Sequence, residues 1–322
     1  MHAVISLAII AVMSYFIYFI GEYFARASSN LGDYFHLPKS VKGATFDAVS
    51  SSMPEIMVAL FAVISFGKFE VGIGTIAGSA FFNILIIPAI CVFVAPVAFK
   101  VNKEVIHRDA KFYILAAGML LGAALIFKQW GFLIALLFLA GYAAYLFVIA
   151  KDTKKHRKTN EKKNIAFNIK KEVAIFIGSI IFMGGATYLL TQQSILLAET
   201  LNISPVIVAF TIIAAATSVP DAVVSITNAK KGDIHDATSN AFGSNIFDIF
   251  VGLGLPLLIA TIISGPTTII FDNIEILIAL FISSIAMFFL FNINEKLSKK
   301  EARIMLLAYA LFFAYVVYLS FV

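Results

Sequence analysis

The sequence predicts an all-α integral membrane fold. Ten transmembrane helices form two five-helix halves related as inverted-topology repeats. Three observations carry this reading: the apolar content, the alternation of basic residues between connections, and a motif pair that occurs twice.

Of the 322 residues, 61% are hydrophobic and 13% charged. Soluble domains run nearer 45–50% apolar and about 25% charged. One soluble core of this length cannot hide so much apolar surface, so the bilayer must solvate most of it. Apolar runs fall roughly at 3–25, 42–66, 70–96, 111–127, 130–150, 172–198, 203–228, 237–262, 273–292 and 303–321. The first run is too long for a cleaved leader and lacks a basic start, so it is read as a retained span. Cys91 is the lone cysteine. It provides no disulfide framework and no thiolate metal cluster.

Basic residues divide unevenly among the nine connections. Of the 24 Lys and Arg, all but Lys68 and Lys128 fall in odd-numbered ones. This pattern fits ten spans. By the positive-inside rule it puts the odd connections in the cytoplasm and both termini outside. The fifth connection is the most basic. It is read as a solvated topology signal rather than a nucleic-acid patch, and it is too short to fold alone. The organisation expected is a first half over 1–150, a basic cytoplasmic linker over 151–171, and a second half over 172–322.

The repeat is seen in two segments. Ser50-Ser51-Ser52-Met53-Pro54-Glu55 is followed by Gly78-Ser79-Ala80-Phe81-Phe82-Asn83-Ile84. Ala216-Thr217-Ser218-Val219-Pro220-Asp221 is followed by Gly243-Ser244-Asn245-Ile246-Phe247-Asp248-Ile249. The first copy lies on spans 2 and 3, the second on spans 7 and 8. An offset of five spans inserts the copies in opposite directions, the arrangement of secondary transporters with midplane sites.

Glu55, Asn83, Asp221 and Asp248 fall near the centres of their spans. A carboxylate there costs about 2.5–3.5 kcal/mol on insertion scales, so such residues mark ion pathways. Pro54 and Pro220 lack an N–H, and each is expected to break its helix and free carbonyls near Ser50 or Ala216. Ser51, Ser52, Thr217 and Ser218 add hydroxyls beside the break. Ser79 and Ser244 lie four residues before Asn83 and Asp248, on the same helix face. The set is all oxygen, which suits a hard cation such as Ca²⁺. Zinc, copper or iron would draw on His or Cys, and all five histidines lie at termini, connections or span ends. No midplane His or Lys could serve an intramembrane hydrolase. A channel filter is the other non-enzymatic alternative, but an inverted repeat favours a carrier.

At these residues the chain resembles the Ca²⁺/cation antiporter superfamily, Na⁺/Ca²⁺ exchanger family. Its two repeats each carry G-[ST]-S-x-P-[ED] followed by G-S-[NA]-x-x-[ND]. Ser51-Ser52-Met53-Pro54-Glu55 and Thr217-Ser218-Val219-Pro220-Asp221 match the first element. Gly78 to Asn83 and Gly243 to Asp248 match the second. The departures are Ser50 and Ala216, where the family has glycine. The resemblance implies secondary active exchange of Ca²⁺ for Na⁺ by alternating access. It implies no cofactor and no catalytic residue, and inorganic cations and the lipid bilayer as the only obligatory partners. Glu55 and Asp221 become the central Ca²⁺ ligands. Ser51, Ser52, Thr217, Ser218, Ser79 and Ser244 complete Na⁺ sites, with the carbonyls of Ala48 and Ala214, and Asn83 and Asp248 flank the centre. Gly21, Gly178, Gly184 and Gly185 would let spans 1 and 6 slide past the core. The stretch Val41 to Phe46 and the run Gly243 to Asp248 look closest to the K⁺-dependent subgroup, leaving K⁺ cotransport open, as is H⁺ coupling on the same fold. A prokaryotic plasma membrane is the expected location. Asp47 is read as reaching water or pairing with Lys42. Glu22 and Glu199 are read as solvated at span ends.

Overall fold

The computed structural model describes residues 2–37, 39–96, 99–100, 103–155, 168–232, 234–271, 273–293 and 296–320. Among the described residues, ten helices are long and apolar enough to cross a membrane: α1 His2–Tyr34, α2 Thr45–Ile64, α3 Phe69–Val94, α4 Arg108–Ile126, α5 Phe132–Asp152, α6 Ile169–Leu201, α7 Pro205–Thr227, α8 Ala241–Ser264, α9 Ile274–Phe291 and α10 Lys299–Leu319. The ten expected spans are all present. Most of the fifth connection, with its basic residues between 156 and 167, lies outside the described residues.

Burial sorts the helices into two classes. Spans α2, α3, α7 and α8 are 56–78% buried, whereas the other six are 17–39% buried. The four motif-bearing spans therefore form the centre, and the rest offer apolar side chains such as Phe16, Leu133, Phe182 and Ile282 to lipid.

The repeat extends beyond the motifs. Both α1 and α6 run 33 residues and pack along each other. Each carries its apolar stretch and then continues, so at 1.5 Å per residue it reaches about 50 Å against a 30 Å hydrocarbon core. The apolar runs underestimated both helices, because hydropathy marks the lipid-facing stretch and not the polar turns beyond it. The helical stretches Ala48–Ile64 and Ala214–Lys230 are each 17 residues long and lie 166 residues apart. Among the described residues, four π-helical turns follow the same offset. Gly43–Asp47 corresponds to Ala209–Ile213, and Phe82–Ile86 to Asp248–Gly252. Each of the four central spans carries one.

These turns correct one expectation. Pro54 and Pro220 sit inside continuous helices. The departure from α-geometry comes upstream as a wider π turn, which absorbs the misfit that a proline causes in the ladder. Carbonyls near the prolines are served by side chains. Ser50 Oγ donates to the Asp47 carbonyl at 2.9 Å and Ser51 Oγ to Ala48 at 3.2 Å. In the second copy, Thr217 Oγ1 donates to the Ile213 and Ala214 carbonyls at 3.1 and 3.3 Å.

Two short antiparallel ribbons, unforeseen from the sequence, fix the sidedness of the connections. β1 (Phe99–Lys100) pairs with β4 (Lys296–Leu297), joining the third and ninth connections. β2 (Gln129–Trp130) pairs with β3 (Thr267–Thr268), joining the fourth and eighth. The two ribbons lie at opposite ends of α4. The repeat relation exchanges one ribbon for the other, as inversion requires.

The two halves meet closely where α3 crosses α7. A Cβ at Gly74 would lie 3.0 Å from the Val206 carbonyl oxygen. One at Gly78 would collide with the Phe210 carbonyl oxygen and sit 2.6 Å from Ala214 Cβ. Gly74 and Gly78 form a small-xxx-small seam that lets the two backbones touch.

Polar residues at span ends find partners. Lys42 pairs with Asp33 at 2.9 Å. Glu199 is ion-paired with Lys68 at 2.7 Å, and Glu22 accepts from Tyr18 OH at 3.0 Å. Both are exposed, as expected of solvated span ends, and each gains a surface partner. Of the four glycines expected to ease sliding, Gly21 faces Pro220 and Gly184 faces Met57. A Cβ at Gly178 or Gly185 would meet nothing within 4 Å.

Candidate cation site

The four central spans bring the motif residues together at the crossing of the two halves. Glu55, Asn83 and Asp248 are fully buried and Asp221 is 3% exposed. Ser52, Ser79, Thr217, Ser218 and Ser244 are buried with them. The local reason is the π turn. Asn83 lies within one and Asp248 opens another. Glu55 and Asp221 each follow the central proline of their helices directly.

Hydrogen bonds knit one side of this cluster across the repeat boundary. Ser79 Oγ donates to Glu55 Oε1 at 3.3 Å. Asn83 Nδ2 donates to Ser79 Oγ at 3.4 Å and to Asp221 Oδ2 at 3.3 Å. Ser218 Oγ donates to Ser79 Oγ at 2.9 Å. On the other side Ser51 and Ser244 hydroxyls meet at 3.1 Å. Thr217 lies beside Glu55, and Ser52 beside Asp248.

The symmetry mates Asn83 and Asp248 behave differently. Asn83 has an N–H to offer the opposing acid, Asp221. Asp248 faces Glu55 closely enough for the two carboxylates to repel, and an ionised carboxylate has no proton to donate. Five buried oxygens here lack a hydrogen-bond partner: Ser52 Oγ, Glu55 Oε2, Asn83 Oδ1, and both Oδ1 and Oδ2 of Asp248. Unpartnered buried acceptors cost free energy, more so when charged. A hard cation is the kind of partner that buried oxygens of this type take.

Among the described residues, no group of three or more His, Cys, Asp or Glu side chains is gathered tightly enough to hold a metal ion alone. The acids are spaced by amide and hydroxyl oxygens. A cation would complete its shell from carboxylate, amide and hydroxyl together, which fits hard cations with six to eight oxygens and flexible geometry. Ala48 and Ala214 lie at the edge of the cluster, with carbonyls occupied by the Ser51 and Thr217 hydroxyls.

One buried residue of the motif was missed as a functional candidate. Asn245 Nδ2 donates to the Ala80 carbonyl at 3.1 Å. Ala80 is the repeat mate of Asn245, so the bond crosses the pseudo-two-fold axis and ties α8 to α3 between the two ligand faces. Its place inside Gly243-Ser244-Asn245 was the available signal.

Comparison with known proteins bears on the family and the fold. A family described as sodium/calcium exchanger protein matches residues 5–151 and 171–318. The inner membrane protein YrbG of Escherichia coli is 29% identical over 72% of this chain and 73% of its own length. Human sodium/potassium/calcium exchanger 5 is 25% identical over 89% of this chain and 77% of its own. Bovine sodium/potassium/calcium exchanger 1 is 43% identical over 93 residues, 29% of this chain and only 8% of that much longer protein. Among solved structures, the sodium-calcium exchanger NCX_Mj aligns with a TM-score of 0.64 at 21% identity, over 97% of this chain and 98% of its own. The H⁺/Ca²⁺ exchanger CAX aligns with a TM-score of 0.78 at 15% identity, over 95% and 81%. Both structures share the all-α membrane fold.

Proposed function

Because this chain belongs to the sodium/calcium exchanger protein family, we propose that it exchanges Ca²⁺ for Na⁺ by alternating access at the buried oxygen cluster. The observation that carries the reading is the set of five unpartnered buried oxygens on Ser52, Glu55, Asn83 and Asp248. Glu55 and Asp221 are the central Ca²⁺ ligands. Asp248 and Asn83 flank them, and Ser51, Ser52, Ser79, Thr217, Ser218 and Ser244, with the carbonyls of Ala48 and Ala214, complete Na⁺ sites.

Full ionisation of Glu55, Asp221 and Asp248 gives the site a charge of −3. One Ca²⁺ or several Na⁺ offset most of it, so the ions compete for the same oxygens. Competition alone produces exchange: neither loaded form needs a second pathway, and the empty site, with its acids facing each other, is disfavoured. The hydroxyls favour Na⁺ as the counter-ion, since protons need none. Transport then requires no cofactor and no covalent step. The first half (1–150) and second half (172–322), joined by the 151–171 linker, act as the two repeats. Both termini face outside a plasma membrane of prokaryotic type, and inorganic cations and lipid suffice as partners.

The test is ⁴⁵Ca²⁺ uptake by proteoliposomes loaded with Na⁺ and diluted into Na⁺-free buffer. Parallel arms add external K⁺ or replace the Na⁺ gradient by a pH gradient. Uptake driven by Na⁺ supports the proposal, and a K⁺ requirement assigns cotransport of that ion. Uptake driven only by the pH gradient makes this an H⁺/Ca²⁺ antiporter, and the Na⁺ assignment then fails.

A further inference from the structure

The two long helices differ at one pair of equivalent serines. Ser28 on α1 and Ser194 on α6 are separated by the 166-residue repeat offset. Both are buried, at 0% and 2% exposure. Ser28 Oγ donates to the Phe46 carbonyl at 2.6 Å, reaching from α1 into the π turn Gly43–Asp47. The equivalent acceptor for Ser194 is the carbonyl of Ile212, in the matching π turn Ala209–Ile213, against which α6 packs as α1 packs on the first turn. That bond is not made: Ser194 Oγ has no partner.

The missing bond sets Ser194 apart from the threonines of its helix. A buried hydroxyl in a transmembrane helix normally falls back on its own i−4 carbonyl. Buried Thr187 and Thr191 make that bond, as do half-buried Ser14 and exposed Thr200, and Ser194 does not.

We propose that Ser28 and Ser194 are positioning residues that hold the two long helices at opposite ends of the transport cycle. This conformation makes the Ser28 bond and leaves Ser194 unpaired. The oppositely facing conformation makes the Ser194–Ile212 bond and releases Ser28. In an inverted repeat the two facing states exchange the environments of equivalent residues. A contact made in one half and absent in the other is what such an exchange requires. The π turns are the receiving elements because they sit directly before the proline helices that carry Glu55 and Asp221. Each serine thus links the sliding position of a long helix to the geometry of one central acid. Neither serine touches the ions. The proposal rests on the alternating-access reading above.

The test uses the full chain in lipid nanodiscs, spin-labelled at Leu201→Cys on the end of α6 and Phe132→Cys at the start of α5, both exposed. Pulsed electron resonance reads the distance distribution in Na⁺ and in Ca²⁺. Ser28→Ala should shift the ratio of the two distance populations about three- to tenfold away from the present conformation, the size of one net hydrogen bond. Ser194→Ala should shift it by a similar factor the other way. The double variant should return close to the parent ratio, and Ser28→Thr, which keeps the hydroxyl, should behave as the parent. Shifts in the same direction, or no shift in populations that still respond to the ions, overturn the proposal and leave alternating access intact. Distances that respond to neither ion overturn both.

Discussion

Asp248 occupies the position where the first repeat has Asn83, and this one difference sets the charge of the site. Asp248 has two unpartnered oxygens and faces Glu55. On the proposed assignment, Asp248→Asn removes a charged ligand and relieves that repulsion. Ca²⁺ affinity should fall roughly tenfold to a hundredfold, the range for losing one charged contact. Thermal stability in chelator should hold or rise, while the stabilisation given by added Ca²⁺ shrinks. Melting curves with and without Ca²⁺ read both at once. A variant that melts lower in chelator and binds Ca²⁺ as the parent does would remove Asp248 from the site. The acids, the amide and the hydroxyls were legible in the sequence because carboxylates at span centres are costly and the motif occurs twice. The direction of each bond was not. Nothing in the spacing says that Asn83 serves Asp221 while Asp248 confronts Glu55, because that depends on how two helices 138 residues apart in sequence cross.

At the scale of elements, the crossing of α3 and α7 depends on Gly78. Its missing Cβ is replaced by the Phe210 carbonyl oxygen and Ala214 Cβ. Gly78→Ala must push two backbones apart, and the cost should be about 1–3 kcal/mol or more, as for overpacked cores. The site hydroxyl Ser79 would move with it, so exchange should fall as well. The repeat mate Gly243 has nothing within 4 Å of an added Cβ. Gly243→Ala should therefore leave the melting temperature within a degree or two, and the two variants melted side by side give the comparison. Equal losses would mean that the seam is not the tight point. Sequence reading treated the two glycines alike, since both open the same motif. Their difference comes from the departure of the packed halves from perfect symmetry. The π turns were equally invisible: they arise where a proline ladder and a tight crossing are reconciled, and no residue type marks them. Hydropathy did find all ten spans. It shortened α1 and α6, because their last turns leave the lipid. The Lys68–Glu199 pair at one such end is exposed, and contributes no more than about 1 kcal/mol.

At the scale of the molecule, the ribbons β1–β4 and β2–β3 put the third and ninth connections at one face and the fourth and eighth at the other. Basic residues give the same partition independently. An impermeant thiol reagent should label Lys128→Cys in intact cells, and Lys299→Cys only once the membrane is opened. Labelling of both from one side would contradict the inverted arrangement. The relation between halves was readable because positive charge and a duplicated motif are properties of the chain. Which helices bury the site and which face lipid follows from packing, and burial separates α2, α3, α7 and α8 from the rest.

The central claim is that Ca²⁺ and Na⁺ compete for one set of buried oxygens centred on Glu55. Equilibrium binding of ⁴⁵Ca²⁺ to the purified protein, titrated with Na⁺ and repeated on Glu55→Gln, tests it most directly. The account predicts saturable Ca²⁺ binding that Na⁺ displaces with more than one Na⁺ per Ca²⁺, and loss of binding in a variant that still folds. Binding that Na⁺ does not displace, or that survives in Glu55→Gln, would contradict it.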